Sequence, residues 1–77
     1  MKKIKVLGSG CANCLNTADL IQTVADELNI DIQIEKVQDM AQIMAYQVMS
    51  TPAVVIDEQV IHKGSVPSRD LVTSWFA

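Results

Sequence analysis

The sequence has no long apolar run, no extended cluster of basic residues and only two cysteines among its 77 residues. No stretch approaches the roughly 18 consecutive apolar residues that a membrane-spanning helix needs. The Met1-Lys2-Lys3 start resembles the basic end of a signal peptide, but the apolar residues behind it, 4–7, are too few for the apolar region of about 7–15 residues that such a peptide requires. We therefore predict a cytoplasmic protein that does not bind membranes.

Charge and cysteine content exclude further classes of protein. The net charge is −3, and Lys2, Lys3 and Lys5 form the only basic cluster, so binding to nucleic acid is not expected. Two cysteines are too few for a secreted scaffold held by disulfides, and in a cytosolic chain their close spacing indicates redox chemistry or metal binding. The length and a hydrophobic content of 49% predict a single domain over residues 1–77.

Hydrophobic periodicity predicts seven secondary-structure elements in the order βαβαββα. The alternation of Ile30, Ile32 and Ile34 with polar residues is typical of a strand with one solvated face. Asp39, with Gln42 three residues later, has the pattern of a helix N-cap. The predicted strands cover residues 4–7, 30–37, 53–56 and 60–63, with a turn at 57–59, and the predicted helices cover 11–28, 40 to about 49, and a last helix capped by Ser68.

Asn29 is expected to end the first predicted helix, whose apolar stripe is formed by Cys14, Ala18, Ile21, Ala25 and Leu28 and widened by Leu20 and Val24. The second and third predicted helices also carry apolar residues that we expect to pack on the sheet. Methionine sulfur could also bind a soft metal ion, but methionines spaced along one amphipathic helix indicate packing. The side chains expected to be buried are Met40, Ile43, Met44 and Val48 in the second helix, and Leu71, Val72, Trp75 and Phe76 in the third.

Cys11 and Cys14 stand where the first predicted strand passes through a glycine-rich turn, residues 8–10, into the first helix. A thiol at a helix start faces unpaired backbone N–H groups and the positive end of the helix dipole, and both favour the thiolate. Residues three apart on a helix lie about 5 Å apart at Cα, within the range of a disulfide. We expect Cys11, in the first turn, to be the outer, attacking thiol and Cys14, on the inward stripe, to be the buried, resolving thiol.

The order of the elements and two local motifs resemble the thioredoxin superfamily. Residues 10–14 read Gly-Cys-Ala-Asn-Cys after the first strand, and residues 50–52 read Ser-Thr-Pro before the third. In length and in its GxGCxxC pattern, the whole chain is similar to the small prokaryotic redox-active disulfide proteins of this superfamily. The resemblance implies an α/β fold with a four-stranded mixed sheet flanked by three helices, and dithiol–disulfide exchange as the activity.

The resemblance also implies roles for individual residues. Cys11 would attack a disulfide, and Cys14 would resolve the mixed disulfide. Pro52 would form a cis peptide bond beside the cysteines, and the backbone of Thr51 would pair with the substrate. The implied partners are disulfide-containing proteins and an unidentified dithiol reductase, and no cofactor is implied. The substrate-binding residues are predicted to be Thr51, Pro52, Gly10, Ala12 and Asn13.

Several positions depart from the family pattern. Ala12 and Asn13 replace the Gly-Pro of thioredoxins and the Pro-Tyr common in glutaredoxins. Gly64 alone remains of the Gly-Gly pair with which glutaredoxins help to hold glutathione. Lys5 stands where thioredoxins have a buried acid, six residues before the first cysteine. An inward Lys5 near the cysteines would favour the thiolate; we instead expect Lys5 to point to solvent, because lysine is rarely fully buried.

Two other functions are compatible with the cysteine pair. Heavy-metal-associated domains also open a helix with CxxC, and two thiolates bind Cu(I) or supply half of a zinc site. His62 could complete such a site, although a lone histidine on a hairpin is more often a surface or packing residue. Those domains run βαββαβ, whereas this chain is predicted to end on a helix. The second alternative is an interaction module whose cysteines only sense redox state.

Overall fold

The computed structural model describes residues 2–8 and 10–76, so that Met1, Ala77 and Ser9 of the predicted glycine-rich turn lie outside the described residues. The predicted order βαβαββα is confirmed. None of the helices in the described part of the chain has the length and apolar character needed to cross a membrane. The strands are β1 (Lys2–Leu7), β2 (Ile32–Val37), β3 (Ala53–Ile56) and β4 (Gln59–Lys63), and the helices are α1 (Ala12–Glu27), α2 (Met40–Ala45) and α3 (Arg69–Trp75).

The strands form one four-stranded mixed sheet, as predicted for a thioredoxin-like α/β fold, and their order in the sheet is β2-β1-β3-β4. β1 runs parallel to β2, with Leu7 opposite Val37, and antiparallel to β3, with Leu7 opposite Ala53. The last residues of β1 and β2 and the first residue of β3 therefore meet at one end of the sheet, which we call the Leu7 end.

The β3–β4 hairpin closes at the opposite end of the sheet. Its turn is formed by Asp57 and Glu58, whose φ angles of 53° and 66° are those of a tight hairpin turn with two left-handed residues. Gln59, predicted as part of the turn, instead begins β4. The hairpin turn therefore lies at the end of the sheet opposite the Leu7 end.

Side chains of β1 alternate between the two faces of the sheet, and each face carries a buried cluster. Ile4 and Val6 face α1 and α3, whereas Leu7 faces α2. The sheet thus has helices on both faces, which is how a chain of this length buries its strands. The cluster under α1 and α3 contains Ile4, Val6, Ala18, Ile21, Val24, Val54, Ile56 and Val72, and the cluster under α2 contains Leu7, Val37, Ile43, Val48, Ala53 and Val55.

Helix α1 is one residue shorter at each end than predicted, because Cys11 is its N-cap and Leu28 its C-cap. Asn29, with a left-handed φ of 56°, ends the helix as predicted. Leu28 is 44% exposed, so its predicted burial is wrong; it lies beyond the last helical turn, where the stripe no longer faces the sheet. Leu20 of the predicted stripe is only partly buried, and its other members are buried: Cys14, Ala18, Ile21, Val24 and Ala25.

Helix α2 is shorter than predicted, since it ends at Ala45 rather than near Met49. Asp39 caps its start as predicted, with its carboxylate accepting a hydrogen bond from the Ala41 N–H at 2.9 Å. Gln47 adopts a left-handed φ of 60°, which a continuing helix does not allow. The chain therefore turns back toward the Leu7 end directly after α2.

The burial predicted for the second helix is half right. Ile43 and Val48 are buried, but Met40 and Met44 are 60% and 67% exposed. A helix of under two turns presents few side chains to the sheet, and Ile43 is the one buried residue of α2. The two methionines therefore lie on the solvent side.

Helix α3 begins at the predicted cap, where the Ser68 hydroxyl accepts a hydrogen bond from the Leu71 N–H at 3.1 Å. Val72 is fully buried, and Trp75 and Phe76 pack half-buried on the same cluster, as predicted. Leu71 is 38% exposed, contrary to the prediction. Val72, Trp75 and Phe76 have the i, i+3, i+4 spacing of one helix face, and Leu71 lies about 100° away from Val72.

Lys5 is directed neither toward solvent, as predicted, nor into the cysteine site. Its ammonium group donates to the Tyr46 hydroxyl at 2.8 Å and to Glu58 at 3.2 Å, and the Tyr46 hydroxyl donates to the other Glu58 oxygen at 3.1 Å. The Lys5 side chain is 20% exposed and that of Glu58 is 72% exposed. The hydrogen bonds with Tyr46 and Glu58 raise the pKa of Lys5, and those from Lys5 and Tyr46 lower the pKa of Glu58.

This ion pair gives a prediction for stability against pH. A carboxylate with a lowered pKa stabilises the fold above its unfolded pKa, 4.5, and loses that contribution as pH falls through the folded value. The raised pKa of Lys5 acts in the opposite sense, so its contribution is complete below 10.5 and is lost as pH rises through the folded value. Chemical denaturation should show that Glu58→Gln lowers the unfolding free energy between these limits and that the difference from wild type disappears in acid.

Glu35→Gln is the matched control. Glu35 lines the same open cavity as Lys5 and Glu58, but among the described residues its side chain makes no hydrogen bond to either of them. It removes the same charge and should not reproduce the pH dependence. Added salt should reduce the Glu58→Gln effect, since Glu58 is exposed. A Glu58→Gln effect that persists unchanged at pH 2 would contradict this account.

Candidate active site

Cys11 and Cys14 form a disulfide at the Leu7 end of the sheet, with their Cα atoms 5.1 Å apart. This separation lies in the expected range for residues three apart at a helix start. Cys11 is exposed, whereas Cys14 is only 5% exposed. The predicted difference in exposure between the two cysteine residues is confirmed.

Cys11 is the N-cap of α1, and its sulfur is the capping atom. The backbone of Cys11 is extended (φ −67°, ψ 161°), and its Sγ accepts a hydrogen bond from the Cys14 N–H at 3.2 Å. Its carbonyl accepts the N–H of Leu15 at 3.1 Å, which starts the helix. The sulfur therefore occupies the place where helices stabilise an anion. Once the disulfide is reduced, this environment favours a negative charge on Cys11.

Gly8 leaves the space that the Cys14 sulfur occupies. A Cβ atom on Gly8 would overlap the Cys14 Sγ and would lie 3.1 Å from the Cys14 Cβ. The N–H of Gly8 donates to the Val37 carbonyl at 2.9 Å, so the backbone cannot easily retreat. Gly8 was not among the predicted site residues, although the glycine-rich turn before CxxC is the signal that could have identified it.

The loop before β3 borders the disulfide from the other side. The Thr51–Pro52 peptide bond is cis. The Thr51 Cβ lies 3.7 Å from the position that a Cβ on Gly8 would take, so Thr51 packs against the backbone that covers Cys14. Pro52 is buried, and its carbonyl accepts the Gly64 N–H at 3.0 Å. The end of the β3–β4 hairpin thus holds this loop in place.

The remaining predicted site residues surround Cys11. Gly10, Ala12 and Asn13 are all exposed. Gly10 has a φ of 83°, a conformation that strongly favours glycine. The Asn13 carbonyl accepts the buried Thr17 hydroxyl at 2.8 Å within α1. These three residues are thus exposed sequence neighbours of the cysteines, whereas Thr51 comes close to the pair through its contact at Gly8.

Two residues at the C-terminal end of β2 also lie beside the cysteine pair, and the sequence analysis did not predict them as site residues. Lys36 and Gln38 line a small crevice, about 10 Å³, together with Cys14. The Gln38 Nε2 lies 3.7 Å from the position of a Cβ on Gly10. Parallel pairing of β2 with β1 brings them there, and such long-range pairing carries no local sequence signal.

His62 does not join the cysteines. Its Nε2 lies 2.9 Å from the Ser65 carbonyl, and its ring is 6.2 Å from that of Trp75. Within residues 2–8 and 10–76, no three His, Cys, Asp or Glu side chains are grouped in a way that could hold a metal ion. The interpretation of His62 as a surface or packing residue agrees with these contacts.

Comparison with known proteins identifies the family. The model of a family described as thioredoxin domain matches residues 2–77. A thioredoxin of Methanocaldococcus jannaschii is 35% identical over 68 residues, which cover 88% of this chain and 78% of the relative. A thioredoxin of Methanothermobacter thermautotrophicus is 33% identical over 70 residues, 91% of each chain.

The comparisons agree with the geometry of the site. The matched region includes the CxxC pair, the sheet and all three helices. Family membership implies, in general, disulfide-containing protein substrates and a reductase that recycles the dithiol. The chain belongs to the thioredoxin family and is a thiol–disulfide oxidoreductase.

Proposed function

We propose that Cys11 is the nucleophile and Cys14 the resolving thiol in disulfide exchange with protein substrates. The observation that carries this assignment is the asymmetry of the pair: Cys11 is exposed and its sulfur accepts the Cys14 N–H at the start of α1, while Cys14 is buried and its sulfur lies against Gly8. A substrate sulfur can reach Cys11 from solvent, whereas Cys14 is accessible chiefly to Cys11.

The exchange proceeds in two balanced steps. The Cys11 thiolate forms a bond to one sulfur of the substrate disulfide, the substrate S–S bond breaks, and the second substrate sulfur leaves as a thiolate that takes up a proton. Cys14 then loses its proton and bonds to Cys11, and the first substrate sulfur leaves. Two electrons pass to the substrate, and the protein ends in the disulfide form.

The substrate-binding surface consists of the residues that border Cys11. Support comes from the exposure of Gly10, Ala12 and Asn13 on one side and of Thr51 on the other. Thr51 lies just before β3 and is exposed, so its backbone is free to pair with an extended substrate segment. Pro52 is buried below it and supports the loop from underneath.

The dithiol is regenerated by a separate dithiol reductase in the cytoplasm. The chain contains only the two cysteines that form the disulfide, so both electrons for the next cycle come from outside the 77 residues. A compartment that keeps thiols reduced supplies them. We assign this activity to the single domain formed by residues 1–77, with no nucleic-acid or membrane partner.

Serine variants test the two roles. Cys14→Ser should trap the substrate on Cys11 as a mixed disulfide, because the resolving thiol is gone, whereas Cys11→Ser should trap nothing. Reduced variants are incubated with insulin, and the covalent complex is detected by mass spectrometry under non-reducing conditions. Both variants should lose catalysis of insulin reduction down to the rate of dithiothreitol alone.

Alkylation of the reduced wild type provides the control for accessibility. Iodoacetamide should label Cys11 well before Cys14, since only Cys11 is exposed. Trapping by Cys11→Ser, or equal labelling of both cysteines, would overturn the assignment. If iodoacetamide labels Cys11 well before Cys14 but the protein does not reduce insulin, the cysteine pair would instead act as a redox sensor.

Gly8→Ala tests the packing under Cys14. The added methyl group overlaps the Cys14 Sγ, and overpacking of this kind costs about 1–3 kcal/mol of unfolding free energy. The loss should be measured by urea denaturation of the oxidised protein and compared with the loss that the same change causes in Cys14→Ala. Removal of the sulfur should recover most of the loss; an equal cost in both backgrounds would show that the sulfur is not the obstacle.

A further inference from the structure

The crevice beside Cys14 has room for about one water molecule. Its volume is about 10 Å³, close to the smallest that holds a water, which also needs polar partners. Gln38 supplies them from the end of β2, because its Nε2 lies 3.7 Å from the position of a Cβ on Gly10, and an amide can both donate and accept hydrogen bonds. The described residues that line the crevice are Val6, Gly8, Gly10, Cys14, Leu15, Lys36 and Gln38.

Lys36 is the one charged residue in the described lining of this crevice. It stands opposite Val6 in the parallel pairing of β1 with β2, so its side chain leaves the sheet on the same face as Val6, the face that carries α1. Within residues 2–8 and 10–76, Lys36 takes part in no ion pair. Its positive charge is therefore not neutralised by a described carboxylate.

The resolving step requires the buried Cys14 to lose a proton. Burial disfavours a thiolate, and Cys14 is only 5% exposed. No Asp, Glu or His is present in the described lining of the crevice, and the other titratable group beside Cys14 is Cys11, which is bonded to the substrate at this stage. Lys5 donates to Tyr46 and Glu58 on the opposite face of the sheet. A water molecule is thus the nearest available proton acceptor.

We propose that this crevice is the proton exit of the resolving step: it holds one water molecule that takes the Cys14 proton, while Lys36 stabilises the thiolate that remains. The inference rests on the proposed role of Cys14. The Cys14 S–H bond breaks, the proton passes through the water to solvent, and the Cys14 sulfur bonds to Cys11 as the bond from Cys11 to the substrate sulfur breaks. The departing substrate thiolate takes up a proton from solvent, so protons balance. Lys36 keeps its own proton and acts only through its charge.

The test measures the resolving step separately from the attack by Cys11. Reduced protein is mixed with dithiodipyridine in acid, where Cys14 stays protonated, and the pH is then raised in a stopped-flow instrument. The reagent releases one thiopyridone when Cys11 attacks and a second when Cys14 resolves the mixed disulfide. Only the first rate depends on reagent concentration. The second rate, plotted against pH, has its midpoint where Cys14 ionises.

Lys36→Met removes the charge and keeps an apolar stem. The midpoint should rise by about one pH unit, the low end of the effect of a nearby opposite charge, since Lys36 is exposed. Below the midpoint about tenfold less thiolate forms, but a more basic thiolate is about threefold more nucleophilic, so resolution should be about threefold slower. Above both midpoints, resolution should be about threefold faster than in wild type. Damage to the fold would instead slow it at every pH.

Three further variants serve as controls and as a test of the water. Lys3→Met removes the same charge about 13 Å along β1 from Leu7, where salt screens it, and should leave the profile unchanged. Lys36→Arg keeps the charge and should restore the wild-type midpoint. Gln38→Leu removes a polar partner of the water at similar side-chain size and should also raise the midpoint.

The outcomes separate this proposal from the proposed function. A wild-type protein that releases only one thiopyridone would show that Cys14 does not resolve, which would overturn both. Two releases with the same midpoint in wild type and Lys36→Met, or an equal shift in Lys3→Met, would overturn the role of Lys36 while the roles of Cys11 and Cys14 stand. An unchanged midpoint in Gln38→Leu would overturn the water site.

Discussion

The backbone N–H of Cys14 donates a hydrogen bond to the sulfur of Cys11, and this contact connects the fold of the chain to its chemistry. It exists only if α1 starts at Ala12, and α1 starts there because Cys11 itself is extended and caps the helix. The position of the helix is in turn fixed by Ala18, Ile21 and Val24, which pack on the sheet. The hydrophobic core therefore determines which of the two sulfurs meets solvent and which meets Gly8.

Local sequence patterns were sufficient to predict the order of the secondary-structure elements and the position of the disulfide. Alternation, helical spacing and the caps at Asp39 and Ser68 predicted all seven elements in order, because these signals depend on neighbours within a few residues. The CxxC pair at a strand–helix junction located the disulfide for the same reason. Gly8, Lys36 and Gln38 were missed, since their importance arises from contacts between segments that are distant in the chain.

The errors in predicted burial share a different cause. Met40, Met44 and Leu71 have helical spacing, but periodicity does not say how wide a face a short helix presents to the sheet. α2 buries only Ile43 of its six residues, and Val48 completes the contact after the helix has ended. The contacts of Lys5 were missed because its partners are distant in the sequence: its ammonium group donates to Tyr46 and Glu58, which lie 41 and 53 residues away.

The sheet order leaves β2 and β4 as its outer strands. Unpaired strand borders invite other chains to add to them, and proteins counter this with charges and short lengths. β2 carries Glu35 and Lys36 and β4 ends in Lys63, and both strands have six residues or fewer. The charges on both outer strands therefore oppose the addition of another chain at either border of the sheet.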